Sequence, residues 1–78
     1  MATLKQHRLQ KVWTVRDLAR EADVSQQSVV NGEAGKPLRL TTMRKMAEAL
    51  DVSVWEVEEF ATTLRAMGEE GAMSKLAA

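Results

Sequence analysis

The segment Asp23-Val24-Ser25-Gln26-Gln27-Ser28-Val29-Val30-Asn31 reads as a tight turn followed by a short helix. Aspartate tolerates a positive φ better than most residues, which suits Asp23 to the turn. Ser25 can cap the helix that follows, and Val24 and Val29 are its inward anchors. Gln27 and Asn31 are four apart and share a helical face, with Gln26 one step round at the N-terminus. Amide side chains at the leading end of an exposed helix can reach base edges in the DNA major groove, where they pair bidentately with adenine. A polar surface helix without a partner has the same local pattern, so the flanking residues decide between the two.

Immediately upstream, Thr14 is a good N-cap for a helix from Val15 to Ala22. Asp17 at its third position completes a shortened capping box and meets the helix dipole favourably. Val15, Leu18 and Ala22 point inward, and Ala19 is small enough for another helix to approach. Helix, turn of about three residues, helix, with inward apolar residues on both sides, is the helix-turn-helix arrangement. Further upstream, Thr3 can cap a first helix running to about Val12, with Leu4, Leu9, Val12 and Trp13 as its apolar side. Arg8 lies at the apolar edge and needs a partner there; Glu33 is the candidate.

Downstream, Leu40 to Leu50 forms a fourth helix with Leu40, Met43, Met46, Ala47 and Leu50 on one face, the methionines as ordinary core filling. Ser53 caps a fifth helix, with Glu56 completing a capping box. This helix is expected to be continuous from Val54 to Met67, with Val57, Phe60, Ala61, Leu64 and Met67 as its stripe and Glu56, Glu58 and Glu59 as an acidic flank. Its length exceeds what a small core needs. Trp55, Phe60 and Leu64 are therefore expected at a dimer interface; the other reading folds the stripe back onto its own bundle. Gly68 and Gly71 end the pattern. That divides the chain into a domain at 1–67 and a flexible tail at 68–78, with Met73 and Leu76 available to dock.

Composition sets the bounds. The 78 residues allow one small domain, in which a core is marginal and a partner often adds stability. The chain has no cysteine or tyrosine and one proline, which favours an all-α fold and excludes disulfides and thiolate metal sites. No apolar run approaches a membrane span and the start is too polar for a signal peptide, so a cytoplasmic protein is expected. Net charge is zero but unevenly spread. Nine Lys/Arg and four acids up to Lys45 give +5, while two Lys/Arg and seven acids from Met46 onward give −5. Such a split predicts a basic working face and an acidic face left in water. His7 is the only histidine, and there is no carboxylate pair at metal-ligand spacing, no base for a serine nucleophile and no glycine-rich phosphate loop. Neither catalysis, a metal nor a cofactor is expected.

From Arg8 to Val57 the chain resembles the Cro/repressor-type (Xre) helix-turn-helix domains. Asp17-Leu18-Ala19-Arg20-Glu21-Ala22 is similar to their second helix. Val24-Ser25-Gln26-Gln27-Ser28-Val29 is close to the "TTQQSI" run of some lambdoid phage repressors. Glu33-Ala34-Gly35-Lys36 resembles their "E-x-G-K", and Leu50-Asp51-Val52-Ser53-Val54 their link to helix five. The resemblance covers about fifty residues without a gap. It implies a five-helix bundle, here with helix five extended, that binds operator DNA as a two-fold dimer. It implies base reading by Gln26, Gln27 and Asn31, phosphate contacts from Thr14, Arg16, Ser28, Lys36, Arg39 and Arg44, and a structural Arg8–Glu33 pair. The residues agree in part, since Lys36, Arg39, Arg44 and Lys45 fall in the basic half. Phosphate contacts would set register and the amides sequence.

Three departures carry expectations of their own. Gly32 stands where the family has a buried aliphatic residue, which predicts a gap and a helix ending near Asn31. Val30 stands at an often polar position, either touching a thymine methyl or filling that gap. Val15 replaces a frequent glutamine, removing one phosphate contact. The expected function is a sequence-specific DNA-binding regulator, most simply a repressor acting as a homodimer on a palindromic operator in double-stranded DNA. The alternative keeps the fold but binds a protein partner, as an antitoxin or anti-repressor would.

Overall fold

The computed structural model describes residues 2–77, and side chains for residues 2–68. Five α-helices follow one another: α1 (Leu4–Gln10), α2 (Val15–Ala22), α3 (Gln26–Glu33), α4 (Leu40–Ala49) and α5 (Glu58–Ala77), with a 3-10 turn at Val54–Glu56. The all-α class and the bundle agree with the sequence reading.

The starts of α1, α2 and α3 are written in a few local side chains, whereas α4 begins at Arg39 without a side-chain cap. The Thr3 hydroxyl accepts the amide of Gln6, whose side chain in turn accepts the amide of Thr3. Thr14 and Asp17 form the same reciprocal pair at α2, and Ser25 caps α3 by accepting the Ser28 amide at 3.1 Å. The helix ends share a different device. After α1, α2, α3 and α4 the chain passes through the left-handed region at Val12, Asp23, Gly35 and Asp51. In each case the next amide reaches back to a carbonyl in the last turn: Trp13 to Arg8, Val24 to Ala19, Lys36 to Asn31 and Val52 to Ala47. These bonds satisfy carbonyls the helix would otherwise leave open. The positive φ expected at Asp23 is present, at 58°.

The core gathers residues from all five helices: Leu4, Leu18, Val29, Met43, Met46, Leu50, Val57 and Phe60 are buried together. α2 packs on both α3 and α4, while α5 reaches back to α3. The small residues Ala19 and Ala22 lie in this packing, where their size permits close approach.

Several expectations are corrected. α1 stops at Gln10, two residues before Val12, so Val12 is 87% exposed and Leu9 is exposed too; neither belongs to an apolar inner side. The cause is the chain reversal at Val12, which returns Trp13 toward the body while turning Val12 out. Leu40, at the first position of α4, is likewise exposed. The fifth helix is not continuous from Val54. Ser53 and Glu56 do form their capping box, but on the 3-10 turn, and Val57 is extended (φ −95°, ψ 118°) before α5 begins. The reason lies 55 residues away in sequence: Val57 pairs with Ala2 in an isolated parallel bridge, and the Glu58 amide donates to the Ala2 carbonyl at 2.9 Å. At the other end α5 continues past Gly68 to Ala77, so the helix does not stop at the glycines. Docking by Met73 and Leu76 lies outside the described residues.

Gly32 is the sharpest correction. It is buried within α3, which runs on to Glu33, and it leaves no gap. A β-carbon placed on it would lie 2.8 Å from Leu4 Cδ2 and 3.1 Å from Leu38 Cδ1, with Phe60 beyond at 3.6 Å. The space of the missing aliphatic side chain is occupied by side chains from α1, the α3–α4 loop and α5.

Candidate nucleic-acid interface

α3 shows a consistent division of faces. Val29 and Gly32 are buried, Ser28, Asn31 and Glu33 are half-buried, and Gln26, Gln27 and Val30 are exposed. Gln26 and Gln27 lie in the first turn of the helix, just after its capped N-terminus, and Val30 one turn further along. Gln27 and Asn31 share a face as their spacing requires, and they touch: Gln27 Nε2 donates to Asn31 Oδ1 at 2.9 Å. That bond uses one of two amide protons on Gln27. Its other proton and its oxygen remain, which is the donor–acceptor pair an adenine edge needs. Asn31 is less open than either glutamine.

The helix is held in place from behind. Arg8 is buried, 7% exposed, and its guanidinium forks onto Glu33, with Nε donating to Oε2 at 2.7 Å and Nη2 to Oε1 at 3.2 Å. Nη1 donates to the Trp13 carbonyl at 2.8 Å. One side chain thus joins α1, the segment entering α2, and the last residue of α3. A charge so buried would be costly unless all its donors found acceptors; removing one partner of such a pair costs about 3–5 kcal/mol. Among the described residues no buried side-chain nitrogen or oxygen lacks a partner. Both side chains of the pair are largely shielded, at 9% and 16% exposed.

The other residues expected to meet DNA are positioned as follows. Thr14 and Arg16 stand exposed at the start of α2. Asp17 is held below the ordinary carboxylate range, chiefly by its hydrogen bonds with Thr14, from the backbone first and then the side chain, with Arg20 and Arg16 adding their charge. Ser28 is half-buried, and its hydroxyl lies 2.9 Å from that of Ser25 within the α3 cap. Lys36, Arg39 and Arg44 are all exposed, on the loop after α3, at the N-cap of α4 and within α4. Among the described residues none of Arg16, Lys36, Arg39 and Arg44 is committed to an ion pair: the salt bridges there are Arg8–Glu33 and Arg20–Asp17.

The residues expected at a dimer interface separate. Phe60 is 1% exposed and is core, because the break at Val57 turns the start of α5 inward. Leu64 is half-buried against the same core, and Trp55 is 54% exposed on the 3-10 turn. Sequence reasoning also missed two positioning roles. Glu59, read as part of an acidic flank, accepts the first amide of α1 (Leu4) at 2.8 Å. His7 Nε2 lies 3.0 Å from the Glu56 carbonyl. No local pattern signals either contact, since both join segments about fifty residues apart.

A cleft of about 350 Å³ is lined by Thr3, Glu33, Gly35, Glu58, Glu59 and Thr62. Its carboxylates are engaged in the Arg8 fork and the α1 cap or lie at the rim, and among the described residues no three of His, Cys, Asp and Glu converge as metal ligands. No helix among them is long and apolar enough to cross a membrane.

A family model described as helix-turn-helix matches residues 4–54, from the first residue of α1 to the start of the 3-10 turn. No curated protein and no solved structure matches the chain.

Proposed function

The chain belongs to the helix-turn-helix family, of the Cro/repressor (Xre) type, a family of DNA-binding domains, and on that premise we propose that it is a sequence-specific transcriptional repressor that binds a palindromic operator as a homodimer. The observation that carries this reading is the exposed face of α3. Gln26 and Gln27 stand clear of the protein on a helix whose other side is fixed by Val29, Gly32 and the Arg8–Glu33 fork. In this reading α3 enters the major groove, Gln26, Gln27 and Asn31 address base edges, and Thr14, Arg16, Ser28, Lys36, Arg39 and Arg44 hold the flanking phosphates. A second copy would pair through Trp55 and Leu64, placing two α3 helices one DNA turn apart. Repression follows from occupying a site that overlaps a promoter.

Binding to a random-sequence duplex pool, followed by fluorescence anisotropy across a salt series and by sequencing of the bound fraction, tests this. The expected result is a palindromic enriched site and a log–log salt slope of about 0.9 per phosphate neutralised. Absence of binding at low salt, together with a protein partner that co-purifies stably, would favour the protein-interaction reading instead. A recognition helix broken at Gly32 would favour that alternative, but α3 continues to Glu33.

A further inference from the structure

We propose that Val30 is a base-reading residue that receives the 5-methyl group of a thymine, beside the base pair addressed by Gln26 and Gln27. The proposal rests on the DNA-binding reading above and adds to it a second, apolar kind of recognition.

Val30 is 47% exposed, and with Gln26 and Gln27 it completes the set of exposed side chains on α3. It lies four residues after Gln26 and three after Gln27. At about 100° per residue, its direction falls between those of the two glutamines, one turn further along. The apolar side chain therefore sits inside the polar face, not on its margin.

Packing does not account for it. The volume beside Gly32 is already filled by Leu4, Leu38 and Phe60, and Val30 points the other way. Helix propensity does not account for it either, since valine is among the weaker helix formers. What valine does offer is a pair of methyls held in one strongly preferred rotamer. In the major groove the one apolar feature of a base edge is the thymine methyl, and small apolar side chains contact it. An adenine taken by a glutamine amide brings a thymine on the opposite strand, so both kinds of contact can fall within one or two base pairs.

The test begins from the duplex enriched out of a random pool. Each thymine is replaced in turn by deoxyuridine, which removes only the methyl group, and each duplex is titrated with the wild-type chain and with Val30→Ala. Val30→Ala keeps the fold, because the position is exposed and alanine favours helix; circular dichroism and thermal melting verify this. At one thymine per half-site, the methyl's removal should weaken wild-type binding about fourfold, the effect of leaving one methyl unburied, and should weaken Val30→Ala binding clearly less, because alanine's single methyl lies further from the groove. Equal thymine-to-deoxyuridine ratios in both proteins at every position would overturn the assignment while leaving the DNA-binding reading intact. Failure to enrich any duplex would overturn that reading and this assignment together.

Discussion

Gly32 shows how one position can be read correctly as unusual and wrongly as empty. A glycine in place of a large aliphatic residue suggests a hole when only neighbours in sequence are considered. The atoms that fill the space come from Leu4, Leu38 and Phe60, and no pattern near residue 32 announces them. Gly32→Leu, which would restore an aliphatic side chain, should therefore overpack the core and lower stability by about 1–3 kcal/mol. Urea unfolding followed by circular dichroism measures this; a gain in stability would mean that a cavity exists after all. Val12 gives the opposite sign. A β-branched residue at φ 58° and 87% exposed carries backbone strain without packing in return. Val12→Asn should raise stability by on the order of 1 kcal/mol, because asparagine occupies the left-handed region more readily. The same unfolding measurement would register this as a higher midpoint at unchanged slope, and a lower midpoint would refute the strain.

Among the elements, the starts of α1, α2 and α3 are legible, while the start of α5 and the helix ends are less so. Thr3, Thr14, Ser25 and Ser53 each cap within three residues of themselves, so their signal is complete in a short window. Asp23 also carries its conformation in its residue type. Val12 does not, since nothing in a valine signals the left-handed turn that ends α1 at Gln10. The break at Val57 depends on a bridge to Ala2, a long-range pairing that no window contains. The Thr14–Asp17 cap allows a pH test. The folded pKa of Asp17 is lowered, so its contribution to stability is complete above the ordinary carboxylate range and disappears as pH falls through the lowered value. Asp17→Asn should thus be less stable than wild type at neutral pH, with the difference closing below about pH 4. Thermal melts of both proteins across that range would show convergence, whereas a constant difference would place the effect outside Asp17 ionisation.

For the molecule as a whole, the uneven charge of the chain was visible from the sequence, and so was the candidate reading face. Of the three amide positions Gln26 and Gln27 are exposed and Asn31 is half-buried, and the proposed phosphate contacts Arg16, Lys36, Arg39 and Arg44 are exposed. The association surface was less legible, because it depends on which part of the α5 stripe the bundle keeps for itself. Phe60 is kept, Leu64 is partly kept, and Trp55 is left open. If a dimer forms through this region, Trp55→Glu should shift sedimentation at micromolar concentration from dimer to monomer while helical content stays the same; an unchanged sedimentation coefficient would move the interface elsewhere. The most direct measurement concerns Gln27. Affinities of wild type and Gln27→Ala are compared on the enriched duplex, on its single-base variants and on unrelated DNA, each across a salt series. The predicted result is a loss of about 1–3 kcal/mol on the enriched duplex, relaxed preference at one base pair per half-site and an unchanged salt slope. An equal loss on every sequence, or none on any, would contradict base reading by the exposed face of α3.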